Sequence, residues 1–148
     1  MIITTISRTQ GQFAVLNDSS YMFYLTGSRF FGTANNNSDW DFFVQDSPML
    51  RVFLVKNGFK LDIHTGYDSC LDAAVYQYKD IHIQCVTDVE LKIDVQSCIM
   101  NLNFYKKWIR DSWNNDHMVP KNKEEMRETW QIASHAMRYM KQKMKKNE

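Results

Sequence analysis

An apolar, aromatic run, Tyr21-Met22-Phe23-Tyr24-Leu25-Thr26, stops abruptly at Gly27-Ser28, and a polar loop later Asp39-Trp40-Asp41 opens a second apolar run, Phe42-Phe43-Val44. The first run reads as a buried strand entering a tight turn, because aromatic and β-branched residues suit a pleated, buried surface and glycine tolerates the turn. A short helix is expected over Arg29 to Thr33, then a loop over Ala34-Asn35-Asn36-Asn37-Ser38, whose small polar side chains favour turns. In a strand beginning at Asp39, alternation sends Asp39 and Asp41 to one face and Trp40 to the other. Two hard carboxylates on one face can hold magnesium. The glycine lets backbone approach a phosphate closely, and Ser28, with the N–H groups of the following helical turn, can donate to phosphate oxygens; Arg29 reads either as a further phosphate contact or as a surface residue.

The rest of the chain surrounds this unit with a small sheet and helices. Ser47-Pro48 is a helix entry, with serine as N-cap and proline in the first turn, and Gly58 can supply the left-handed stop. Strands are expected over Phe59 to His64, Ala73 to Tyr78 and Ile81 to Val86, the last alternating Ile81, Ile83 and Cys85 against His82, Gln84 and Val86. After Asp88 the spacing turns helical through Leu91, Val95, Cys98, Leu102 and Tyr105. Asn122, with Glu125 three residues on, can cap a last helix along which Met126, Trp130, Ala133, Met137, Met140 and Met144 recur. The order predicts an α/β or α+β fold, a small mixed sheet with helices packed on it, in a single domain over residues 1–148 with C-terminal helices from about 88 to 146.

Composition narrows the function. The 18 basic and 17 acidic residues leave a net charge of +1, so there is no global electrostatic footprint for nucleic acid or a membrane surface. Hydrophobic residues make up 44% of the chain, enough for a real core. No secretory leader is legible at Met1 to Arg8, and no stretch approaches the ~18 apolar residues of a membrane span. Cys70, Cys85 and Cys98 show no metal-finger or redox spacing and read as buried apolar residues in a reduced, cytoplasmic protein.

The segment Tyr24-Leu25-Thr26-Gly27-Ser28-Arg29-Phe30-Phe31-Gly32-Thr33, followed by Ser38-Asp39-Trp40-Asp41-Phe42, resembles the signature of the polymerase-β-like nucleotidyltransferases. More weakly, Gly58-Phe59, Tyr67 and the run from Val75 to Val86 resemble small nucleotidyltransferase-like proteins of bacteria and their phages. The resemblance implies a magnesium- or manganese-dependent transfer of a nucleoside monophosphate from a nucleoside triphosphate to an acceptor hydroxyl on protein, RNA or a small molecule. Gly27, Ser28 and Arg29 would then hold the nucleotide, and Asp39 and Asp41 the metal. Members that catalyse the reaction carry a third carboxylate on a later strand, and here the sequence departs from the pattern. If Ile81-His82-Ile83 is the matching strand, His82 stands in the acidic place. If Leu61-Asp62-Ile63 is, Asp62 fills it. The longer resemblance runs through His82, which implies a weakened or altered metal site. The alternative function is a catalytically lapsed member of the fold that acts as a binding or inhibitory protein.

The remaining chemistry-bearing residues have plainer readings. His64, His117 and His135 have no ligand partner at metal spacing. The Met and Trp stripe of the last helix reads as core, or as an interface through which two copies could associate. Its lysines, Lys141, Lys143, Lys145 and Lys146, complement the helix dipole.

Overall fold

A computed structural model describes residues 1–4, 6, 8–32, 34–62, 67–68, 73–100 and 123–146. The chain divides into two compact units, Met1–Val89 and Glu90–Glu148. In the first, chain order runs β1 (Ile2–Ile3), α1 (Gln12–Asp18), β2 (Phe23–Thr26), α2 (Gly27–Phe31), β3 (Trp40–Gln45), α3 (Pro48–Lys56), β4 (Lys60–Leu61), β5 (Tyr67–Asp68), β6 (Ala73–Tyr78) and β7 (Ile81–Val86). The strands form one mixed sheet in the order β1-β2-β3-β7-β6-β4, with β5 also pairing with β6. β2 and β3 are antiparallel, β3 and β7 parallel, and β6 and β7 form an antiparallel hairpin. The hairpin turns at Lys79, whose φ of 51° lies in the left-handed region that suits a tight connection between twisted strands.

Alternation along the strands builds the core on one face. Phe23 and Leu25 of β2, Trp40, Phe42 and Val44 of β3, Ile81, Ile83 and Cys85 of β7, and Ala74 and Tyr76 of β6 form one buried cluster with Phe13 and Leu16 of α1, Leu50 and Leu54 of α3, and Phe59. Each such large side chain contributes about 1.5–3 kcal/mol by leaving water. α3 joins this cluster because Leu50 and Leu54 fall on one face at helical spacing, while Met49, Val52 and Val55 point outward. Its entry is capped by Ser47 Oγ, which accepts from the Leu50 N–H at 3.1 Å, and Gly58 follows its end with φ of 90°. Arg51 anchors the helix to the end of β3 through a two-pronged pair with Asp46, both contacts at 2.8 Å. Cys85 lies buried in this cluster, and burial, with the negative charge of Asp46, raises its thiol to about 12.

β6 and β7 have the bounds expected from the sequence. Of the strand expected over Phe59 to His64, Lys60 and Leu61 pair with β6 as β4 and the Asp62 N–H adds a bond to the Val75 carbonyl, while residues 63–66 lie outside the described residues. α2 spans Gly27–Phe31, beginning two residues ahead of the expected Arg29. β1, α1 and β5 carry no strong local signal. α1 has Gly11 at its N-cap with no side-chain cap, and its helical state goes with the burial of Phe13 and Leu16.

Helix α4 runs over residues 89–100 and lies in the second unit from Glu90 onward, and the second unit also contains helix α5 (Lys123–Lys146). Along α4 the buried arc passes through Leu91, Lys92, Val95, Gln96 and Ile99. That arc leaves Cys98 past its edge and exposed, correcting its reading as a buried residue; Cys70 lies outside the described residues. On α5, Ala133 is half-buried, Ser134 buried and Met144 exposed. The side chains of Met126, Trp130, Met137 and Met140, on which the expected stripe depends, lie outside the described residues. Among the described residues no helix is long and apolar enough to cross a membrane.

Candidate functional site

The site lies where β2 ends, against the start of β3. Thr26, the last residue of β2, is the cross-strand partner of Asp41, and His82 of β7 is the partner of Asp41 on its other side. Paired residues project to the same face, so Asp41 and His82 stand side by side on the face opposite the Trp40, Phe42 and Val44 core. The chain leaves β2 through Gly27 at φ of 70°. A Cβ on Gly27 would lie 2.4 Å from Asp41 Oδ2 and 3.1 Å from both Asp41 Cβ and Cγ. A side chain at this position would force Asp41 or the turn to shift, so the turn is pressed onto the Asp41 carboxylate.

Asp39 precedes β3 by one residue and reaches the same patch. His82 Nδ1 lies 3.6 Å from Asp41 Oδ1, and His82 Nε2 lies 3.9 Å from Asp39 Oδ2. Each ring nitrogen of the imidazole thus has one of the two carboxylates within 4 Å. Side-chain exposures of 25% for Asp41, 27% for His82 and 53% for Asp39 leave this cluster open to a solute. Ser28 follows Gly27 in the first turn of α2 and is half-exposed, and its carbonyl accepts from the N–H of Gly32, the left-handed C-cap.

Asp62 is set apart from this cluster. Its N–H donates to the Val75 carbonyl at 2.9 Å, which extends the pairing of β4 with β6. β7 and β6 stand between it and β3. Three inter-strand spacings amount to about 14 Å, far beyond the reach of a ligand shared with Asp41. The strand that neighbours β3 on this side is the one that carries His82, so the position beside the two aspartates is filled by an imidazole.

Arg29 has a different setting from a free phosphate donor. Its Nε and Nη2 donate to the Ser38 carbonyl at 3.2 and 2.7 Å, and its guanidinium carbon lies 4.1 Å from the centre of the Trp40 ring. The loop it grips is closed by its own side chains: the Asn35 N–H donates to Ser38 Oγ at 2.9 Å and the Asn37 N–H to Asn35 Oδ1 at 2.9 Å. Sequence reasoning assigned this loop by composition and missed its link to Arg29. The available signal was the arginine nine residues before a serine that itself precedes the first aspartate.

Among the described residues, no three or more His, Cys, Asp or Glu side chains converge as a ready-made metal cage. The donor set nonetheless suits a hydrated divalent ion, since magnesium is commonly held by one or two carboxylates and keeps several waters. Asp39 and Asp41 supply two anionic oxygens at an accessible edge, and His82 adds a nitrogen that manganese accepts more readily than magnesium does. No protein-family model matches the chain, and neither a curated protein nor a solved structure matches it.

Proposed function

We propose that the chain is a nucleotidyltransferase of the polymerase-β-like kind, moving a nucleoside monophosphate from a nucleoside triphosphate to an acceptor hydroxyl. The observation that carries this reading is the contact between the Gly27 turn and the Asp41 carboxylate. It sets a backbone that a phosphate can approach next to a carboxylate that can hold the phosphate's counter-ion. Asp39 and Asp41 would hold Mg2+ or Mn2+, which when bound neutralises triphosphate charge and polarises the α-phosphoryl group. Ser28 and the neighbouring backbone N–H groups donate to phosphate oxygens. His82 lies where it can take the proton of the attacking hydroxyl as the new P–O bond forms and the bond to pyrophosphate breaks. The acceptor would be a protein side chain, an RNA end or a small molecule. Free Cys85 and Cys98 agree with a reducing, cytoplasmic setting.

His82 also favours a second reading. An imidazole in place of a third carboxylate brings no negative charge to hold a second ion, which suits a lapsed site that binds nucleotide or a partner without turnover. One experiment separates the two. The chain is incubated with each α-labelled nucleoside triphosphate, Mg2+ or Mn2+, and host protein and RNA, beside an Asp41→Asn control. Label transferred to a macromolecule or small acceptor, and lost in the control, supports the enzyme. Triphosphate binding without transfer supports the lapsed site in its nucleotide-binding form, and no binding of any triphosphate refutes the enzyme and that form alike.

A further inference from the structure

The two aspartates are held in place by different means. Asp41 lies within the sheet, with Thr26 and His82 as its cross-strand partners. Asp39 lies outside the ladder, one residue before β3, and is the most exposed of the three groups. Its position depends on its chain neighbours. On one side, the Ser38 carbonyl receives two N–H groups from Arg29. On the other, the Trp40 N–H donates to the Asp80 carbonyl at 2.7 Å. The Trp40 ring in turn packs against the near-perpendicular ring of Phe13, 5.4 Å away, and the guanidinium of Arg29 at 4.1 Å. Arg29 thus grips the chain on both sides of Asp39: the carbonyl before it and the indole after it.

On the proposed nucleotidyltransferase reading, we infer that Arg29 is a positioning residue that holds Asp39 opposite His82, and not a ligand of the triphosphate. A guanidinium has its donors in one plane. Here two of them converge on one carbonyl and one face is covered by an indole, so a move to a phosphate would release the loop that carries a metal ligand. Lysine can imitate the charge of Arg29 but neither the fork nor the flat stacking.

The test measures Mn2+ binding to the full chain without nucleotide, by the loss of the free-ion electron paramagnetic resonance signal. It is paired with the ratio of ATP to adenosine affinity without metal. Arg29→Ala and Arg29→Lys should both weaken Mn2+ binding by about tenfold, the usual effect of losing a partner that orients a metal ligand, and leave the ATP to adenosine ratio unchanged. In an Asp39→Asn background, Arg29→Ala should add nothing further, because the residue it acts through is gone. A simple loss of stability would not produce that pattern. Unchanged Mn2+ affinity with a collapsed ATP to adenosine ratio, rescued by lysine, would overturn the inference and make Arg29 a phosphate ligand. If the wild-type chain binds no Mn2+, the nucleotidyltransferase reading fails, and the clamp is judged on amide hydrogen exchange at Asn35 to Asp39. Exchange should there quicken at least about tenfold in Arg29→Lys, which also serves should Arg29→Ala not fold, and unchanged exchange would refute the clamp.

Discussion

Replacing Gly27 by alanine perturbs two things at once, and a second glycine allows them to be separated. At φ of 70° an alanine Cβ crowds its own backbone, which costs about 1–2 kcal/mol. The added methyl would also lie 2.4 Å from Asp41 Oδ2 and 3.1 Å from Asp41 Cβ and Cγ. Rotation of the carboxylate can relieve the first contact but not the contact with Cβ, so β3 or the turn must yield, adding roughly 1 kcal/mol at the low end of overpacking costs. Gly32 has a similar φ of 81°, and a Cβ added there would meet nothing within 4 Å, so Gly32→Ala reports the backbone cost alone. Thermal and urea unfolding should therefore rank Gly27→Ala below Gly32→Ala by about 1 kcal/mol. In Mn2+ and triphosphate titrations only Gly27→Ala should lose affinity, because the displaced carboxylate belongs to Asp41. Equal stability losses and unchanged binding in both variants would refute the argument that the turn is pressed onto a working carboxylate.

Four further outcomes follow from the site and the core. His82→Asp should raise Mg2+ affinity on the order of tenfold in calorimetric titration by adding an anionic oxygen beside Asp41, whereas Asp62→Asn should leave it unchanged. Native Cys98 should alkylate readily at pH 8 while Cys85 stays unmodified until the chain is denatured, as peptide mass mapping would reveal. With its thiol raised from 9.0 to about 12 in the fold, Cys85 contributes stability that is full below pH 9.0 and lost as pH rises toward 12, since only the unfolded chain ionises in that window. A Cys85→Ala variant should accordingly show a flatter alkaline decline in urea unfolding than the parent. Phe42→Ala should cost about 3–5 kcal/mol in the same assay, because Phe42 is fully buried at the centre of β3.

Local rules carried the parts of the fold in which neighbouring residues agree. The hairpin of β6 and β7 and the helix α3 have clear chain signals: alternating apolar residues in the first, a Ser-Pro entry and a glycine stop in the second. α1 and β1 lacked such signals, since a short helix without a side-chain cap exists only where Phe13 and Leu16 find a core to enter. The α4 stripe was legible in its period but not in its centre. Periodicity places residues on a face, whereas the packing partner decides which part of that face is covered, and here it leaves Cys98 in solvent.

For the candidate site, sequence alone determined the residue types and set Asp41 on the face opposite Trp40, because a period of two needs no knowledge of neighbours, whereas Asp39 precedes β3 and takes its place from the loop. It also marked Gly27 as a turn. Which later residue joins them was open between Asp62 and His82, since strand order is a property of the assembled sheet. Only the tertiary structure decided it: β7 pairs with β3 and brings His82 level with Asp41, while Asp62 lies beyond β7 and β6. The role of Arg29 was hidden for the same reason. A guanidinium that follows a phosphate-type turn reads as an anion donor until the loop folds back and presents the Ser38 carbonyl and the Trp40 ring to it.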